Sequence, residues 1–321
     1  MIKYVIKRFA QMMAVLLIVS VLVFLMTNFI GDPVDMLVPE DATLEEIETA
    51  RIRLGLNKPL YVQYAIFLKS VLHGDFGKSY TYGLPAMGLI VERMPATLEL
   101  VAVAAALVLL IAIPLGVYAG AYPKRALSKF IMSGSILGIS LPSFWMGMMM
   151  IYIFAVIFRC LPASGRGDTI PVLGVQLSIF APGGIRYIIL PAVTLALTNT
   201  ATMIRLTRSG ILENMRQDYI KYARAKGVPA KALLFGHALK NALVPVITVF
   251  GLDLGNMVAF TTITETIFAW PGMGKLLIDA INKSDRPIIV AYLMAAACMF
   301  VVLNFIVDIL YTLIDPRIEL R

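Results

Sequence analysis

The sequence predicts an all-α polytopic membrane protein with six transmembrane helices. Three observations carry that prediction. The 321-residue chain is 59% hydrophobic and 15% charged, with a mean hydropathy of +0.83; soluble domains run at roughly 45–50% apolar and about 25% charged. Six stretches carry at most one charge each and are long enough to cross a bilayer. The basic residues are divided unevenly between the two sides those stretches define. A soluble globule could not bury so much apolar surface, and disorder is excluded by the same composition. Cys160 and Cys298 form no disulfide framework or metal spacing, and His73 and His237 leave little for a proton relay.

The first apolar run, 9–30, has no charge and spans about 33 Å as a helix. Run 96–121 contains only Glu99. Run 131–158 is uncharged, with Pro142 inside. Run 187–204 is the shortest. Run 241–264 holds Asp253, and run 288–314 holds Asp308. The basic start resembles that of a secretion signal, but the apolar run is too long and no small-x-small site precedes Gly31. A retained first helix is expected.

Six spans place both termini on one side. Sixteen of the 28 Lys and Arg residues fall there: three at the N-terminus, three in 122–130, eight in 205–240 and two in the tail. Four acids share that side: Glu213, Asp218, Asp315 and Glu319. The bias makes it the cytoplasmic side. The net charge of +8 is then mostly a cytoplasmic excess, which needs no nucleic-acid partner.

The chain divides into an end with its first span (1–30), a polar extracytoplasmic segment (31–95) and a five-helix core (96–321). In 31–95, Thr43-Leu-Glu-Glu46 predicts a capping box opening a short helix that Gly55 ends. Pro59 predicts the start of a second helix, with an apolar stripe of Tyr64, Phe67, Leu68, Val71 and Leu72. A helical hairpin resting on the membrane or bundle and a docking platform are both open readings.

The 205–240 loop is too long for a mere connection. Asp218-Tyr-Ile-Lys-Tyr-Ala-Arg-Ala-Lys-Gly227 predicts a short helix. Asp218 is expected at its positive end, Arg224 and Lys226 near its negative end, and Gly227 in the left-handed conformation that stops it. Val228-Pro229 forces a new direction. A second helix is expected from about Ala230 through His237 into span five. Tyr219, Tyr222 and Ala223 are expected on one exposed face, suited to a partner's groove. The helix-turn-helix shape and eight basic residues raise DNA binding, but no separate domain exists to enter a groove.

With these residues in place, the loop resembles the cytoplasmic signature of ABC importer permeases. The pattern is Asp218-Tyr219, Ala223-Arg-Ala-Lys-Gly227 and His237-Ala-Leu-Lys-Asn241-Ala-Leu-Val-Pro245. It is similar to the dipeptide/oligopeptide/nickel branch, in the subunit with a long outer segment after span one. Supporting stretches are Gly74-Asp-Phe-Gly-Lys-Ser79, Pro95-Ala-Thr97, Leu141-Pro-Ser-Phe144, Leu161-Pro-Ala-Ser-Gly165, Leu190-Pro-Ala-Val-Thr194, Arg205-Leu-Thr-Arg-Ser209, Glu265-Thr-Ile-Phe-Ala-Trp-Pro-Gly-Met-Gly274 and Asp315-Pro-Arg317. The wider family's loop starts Glu-Ala-Ala six residues before its glycine; here those positions are Lys221, Tyr222 and Ala223, so no Glu contact carries over to Lys221.

The resemblance implies a type I ABC importer bundle in a bacterial or archaeal cytoplasmic membrane. It implies a second homologous permease, two cytoplasmic ATPase subunits and an extracytoplasmic substrate-binding protein. ATP and Mg belong to the ATPases, with no cofactor or catalytic residue in this chain. Residues Asp218, Tyr219, Tyr222, Ala223, Arg224, Ala225, Lys226 and Gly227 are implied to form the coupling helix. Peptides are the expected substrate, with nickel chelates, glutathione and haem as alternatives. Gly77-Lys-Ser79 is no phosphate-binding loop, because Leu72 stands where the motif needs glycine.

Of the membrane acids, Asp253 is a candidate for the pathway wall or for a local interhelical pair. Glu99 and Glu265 are expected near the outer surface and solvated. Glu265 and Trp270 are candidates for an outer mouth or binding-protein contact. The methionines around Met146–Met150 read as packing rather than a metal ladder. A secondary transporter would show repeats and broken central helices, and leaves the basic loop unexplained. An intramembrane hydrolase lacks a base, since both histidines lie outside the spans.

Overall fold

The computed structural model describes residues 2–29, 43–54 and 56–314. Gly55 and the Asp315-Pro-Arg317 motif lie outside them. The long apolar helices are α1 (Ile2–Phe29), α4 (Ala86–Ala121), α7 (Gly184–Asn214), α10 (Leu239–Ile267) and α12 (Arg286–Ile314). Each is long and apolar enough to cross a membrane, and α10 is reached through α9 (Ala230–Ala232) and a π-helix, Leu233–Ala238. The sixth span is broken. Helices α5 (Ala126–Ser140) and α6 (Ser143–Met150, continued by a π-helix, Ile151–Ile157) meet at 108°.

That break corrects the single run expected over 131–158. Pro142 lacks an N–H, and its ring drives Leu141 out of the helical region to φ −92°, ψ 133°. Pro95, Pro114, Pro191 and Pro245 stay inside continuous helices. A second unforeseen element is a hairpin of β1 (Ile170–Val172) and β2 (Val175–Leu177), paired antiparallel. The remaining helices are α2 (Leu44–Leu54), α3 (Leu60–Leu72), α8 (Asp218–Ala225) and α11 (Met273–Asn282).

The described chain forms two compact units, 95–275 with 302–314, and 2–94 with 276–301. In the first, α7 is the hub. Lipid supplies no hydrophobic drive between helices, so close backbone approach must hold them. Gly116 and Gly120 of α4 face Thr207 and Ile211 of α7, where an added Cβ would come within 2.5 and 2.7 Å of those side chains. Gly210 of α7 lies against Ala242 of α10, and Gly251 of α10 against Val307 of α12.

In the second unit the capping box forms as expected. Thr43 N donates to Glu46 Oε2 at 2.8 Å, and Glu46 N to Thr43 Oγ1 at 3.3 Å. Pro59 opens α3, which packs on α1 through Phe24, Tyr64 and Phe67, with ring centroids 5.5–6.4 Å apart. Ser20 Oγ and Tyr64 Oη are hydrogen-bonded at 2.9 Å. Val71 joins the same cluster, while Leu72 of the expected stripe stays 77% exposed.

Gly116→Val should force α4 off α7 and destabilise the purified chain by about 1–3 kcal/mol. Gly134→Ala, with nothing within 4 Å of its added Cβ, should be neutral or slightly stabilising. Thermal melts in one detergent compare the two.

Candidate functional site

Helix α8 follows Gln217, whose extended backbone forms the N-cap without a side-chain bond. Asp218 is in the first turn, where a carboxylate favours the positive helix end. It accepts from Lys221 Nζ at 2.9 Å, and that bond holds its carboxyl below the ordinary aspartate value. The other end matches expectation. Gly227 has φ +82°, Gly227 N donates to Arg224 O at 3.0 Å, and Val228 N to Ala223 O at 3.2 Å. This pair of bonds satisfies the last carbonyls and stops the helix.

The helix is pinned by a residue absent from the sequence reading. Ile220 is fully buried among Val117, Ile211, Leu233, Ala238 and Ala242, which belong to α4, α7, the second π-helix and α10. Ala223 and Val228 pack against the same cluster. Ala223 therefore turns inward and does not share the exposed tyrosine face. The signal was present in the apolar spacing Ile220, Ala223, followed by Val228 beyond the turn. Tyr219 hydroxyl donates to Asn214 Oδ1 at 2.8 Å and accepts from Asn241 Nδ2 at 2.9 Å, tying α8 to α7 and α10. Outward remain Tyr222, 64% exposed with Lys226 Nζ 4.6 Å from its ring centre, together with Lys221, Arg224, Ala225 and Gly227.

A second constellation gathers several of the short motifs. Glu99 and Glu265 are buried rather than solvated. Glu99 Oε2 accepts from Arg166 Nε at 3.0 Å and Nη2 at 2.5 Å. Its Oε1 accepts from Ser178 N and Ile179 N, both at 2.7 Å. Glu265 accepts from Thr97 Oγ1 at 2.6 Å and Lys275 N at 3.0 Å. Thr97 Oγ1 accepts in turn from Met273 N at 2.9 Å, and Trp270 Nε1 donates to Ala96 O at 2.9 Å. A Cβ on Gly272 would lie 2.2 Å from the Glu265 carboxylate, so only glycine fits. Both Glu265 and Trp270 have 0% exposure. Their side chains are structural, which corrects their assignment to an outer contact surface. The physical reason is donor supply: three separated segments bring enough N–H and O–H groups to hold carboxylates away from water.

Asp253 is half-buried in α10, with Asn256 as its hydrogen-bonding neighbour. In the other unit, the Gly74–Ser79 stretch ends in a buried bond. Ser79 Oγ donates to Asp285 Oδ2 at 2.5 Å, and Thr81 N to the same oxygen at 2.9 Å. Burial pushes the Asp285 carboxyl up, but the donors from Ser79, Thr81 and Tyr80 outweigh it and leave it below 3.8.

Glu99→Ala should cost about 3–5 kcal/mol by stranding the Arg166 guanidinium, and Glu99→Leu with Arg166→Leu should recover much of the loss. Thermal melts of the single and double variants check this. For Asp285, folding favours the charged form, so its contribution is present above the ordinary aspartate value and is lost as pH falls through the lower folded value. The native melting temperature should therefore fall more steeply below about pH 4 than that of Asp285→Asn.

Residues 112–320 match the family described as binding-protein-dependent transport system inner membrane component, and residues 1–101 match its N-terminal counterpart. The chain is 38% identical over 318 residues to the oligopeptide transport system permease protein AppB of Bacillus subtilis (strain 168), covering 98% of this chain and 99% of that one. It is 38% identical to the probable D,D-dipeptide transport system permease protein DdpB of Escherichia coli (strain K12), over 94% and 92% of the two chains. The dipeptide transport system permease protein DppB of the same organism is 35% identical, over 99% of each. Among solved structures, a chain of the MetNI methionine ABC transporter, inward facing, superposes with a TM-score of 0.56 at 17% identity, over 71% of this chain and 97% of that one. The helical architecture, the match over both family regions and the near-complete alignments place this chain in the family of binding-protein-dependent ABC transporter permeases.

Proposed function

We propose that this permease is one of two paired membrane subunits of an ATP-driven peptide importer, and that α8 docks it on a cytoplasmic ATPase. The observation that carries the reading is the construction of α8. Eight residues are closed at one end by Gly227 and pinned from beneath by Ile220, and they keep an aromatic and basic outer face. Such a helix transmits a push to α7 and α10, because Tyr219 is bonded to both. The peptide-transport names of the relatives support the substrate class.

In this reading both termini are cytoplasmic, and a second permease completes the path. A binding protein delivers the peptide from the other side. ATP and Mg act on separate ATPase subunits. Asp253, within span five, is the candidate to meet a peptide's amino group.

Gly227→Leu meets nothing within 4 Å but forces a β-carbon into the left-handed region, at about 1–2 kcal/mol. In proteoliposomes carrying the whole importer, it should leave the complex assembled while uptake per ATP falls severalfold. Tyr222→Ala should weaken ATPase capture by about tenfold or more, as for a buried aromatic anchor. Normal uptake in both variants overturns the docking assignment.

A further inference from the structure

The loop between α4 and α5 carries a feature that the docking of α8 does not use. Lys124, Arg125 and Lys129 are all exposed within six positions, and the chain has no acid from 100 to 167. The turn beneath them is fixed. Ser128 Oγ donates to Tyr122 O at 2.6 Å, and Arg125 N to the same oxygen at 3.1 Å. The Arg125 guanidinium lies 4.4 Å from the Tyr122 ring centre, and the Tyr122 ring packs tilted against Tyr118 with centroids 5.3 Å apart. An aromatic face next to a guanidinium favours the cation and restricts its rotamers.

The helix that follows is two-faced. Ser128, Ile131, Ser135 and Gly138 are buried. One position back along each turn, Leu127, Phe130 and Leu137 are 52%, 76% and 61% exposed, and Gly134 between them has open space before it. The cationic turn therefore tops an uncovered apolar stripe that runs about 15 Å along the first half of a membrane span. The turn shares one end of its unit with α8, since Gly120 meets Ile211 and Val117 packs with Ile220.

We propose that this surface binds an anionic phospholipid, its phosphate held by Lys124, Arg125 and Lys129 and an acyl chain laid along Leu127, Phe130 and Leu137. The charge pattern favours lipid over a protein partner. The three cations stand within the first turn of the stripe and none follows Lys129 along it, as in the amphiphile itself. Its assignment to the cytoplasmic leaflet, where anionic lipid meets basic segments, rests on the proposed docking of α8.

The test uses the purified full-length chain in neutral detergent, titrated with phosphatidylglycerol or phosphatidylcholine and read by native mass spectrometry. Phosphatidylglycerol should be retained in preference. Each cation neutralised should lower its retention about fivefold, so Lys124→Gln with Arg125→Gln and Lys129→Gln should abolish the preference. Lys58→Gln, an exposed lysine elsewhere, should change nothing. Arg125→Gln alone serves if the triple variant elutes aggregated. Unchanged preference in a monodisperse variant overturns the proposal, as does inorganic phosphate binding as tightly as the lipid. So does loss of the second permease or the ATPase from the assembled complex with lipid retention intact, which makes the patch a protein contact. Lipid is read on the chain alone, so failure of α8 docking leaves this result standing.

Discussion

A carboxylate within an apolar helix bundle is tolerated only when its lone pairs have donors. The architecture of the larger unit follows from how that demand is met twice. Glu265, at the end of α10, takes its donors from Thr97 of α4 and from the backbone that begins α11. Glu99, half a turn from Thr97 on α4, takes its own from Arg166 and from the chain leaving the β hairpin. The two acids thus fasten the connections after α6 and after α10 onto one helix. Gly165 N donating to Phe268 O at 2.8 Å, and Arg166 lying 5.7 Å from the Trp270 ring centre, close the circuit between those connections. Apolar packing alone is non-directional and would not select this arrangement.

The opposite end of the unit uses a different device. There the helices approach through glycine, with Gly116, Gly120 and Gly210 letting α4 and α10 press on α7. The hydrophobic effect contributes little between helices in lipid, so shape carries the association. The buried cluster around Ile220 extends this packing beyond the spans and includes α8 in it.

Much of this was legible in the sequence, because the signals are local. Apolar runs and basic loops mark spans. Thr43 with Glu46, Pro59, and Gly227 with Pro229 mark helix ends through backbone chemistry that needs no distant partner. Pro142 falls inside one apolar run, and proline alone does not say whether it bends a span or breaks it, because that depends on whether neighbouring helices re-satisfy the freed carbonyls. Pro114, Pro191 and Pro245 are accommodated in continuous helices and Pro142 is not. The burial of Glu99 and Glu265 was illegible for a stronger reason. Their side-chain partners, Arg166 for Glu99 and Thr97 for Glu265, are 67 and 168 residues away, and a charge near the end of a hydrophobic run looks the same whether water or a serine amide receives it.

The way α8 is held bears on how it can act. A helix attached only through its two chain ends would swing when pushed and dissipate the motion. Ile220 removes that freedom, because withdrawing it would expose a fully buried side chain at about 1.5–3 kcal/mol. Tyr219 adds two hydrogen bonds to different helices. Displacement of α8 is therefore shared with α7 and α10, the hub and its principal neighbour. The segment between α8 and α10 is less regular: α9 is one turn, and Leu233–Ala238 is a π-helix, a rare form. The side-chain path from α8 thus reaches both α7 and α10 directly, and Leu233 and Ala238 of the intervening segment pack into the same cluster.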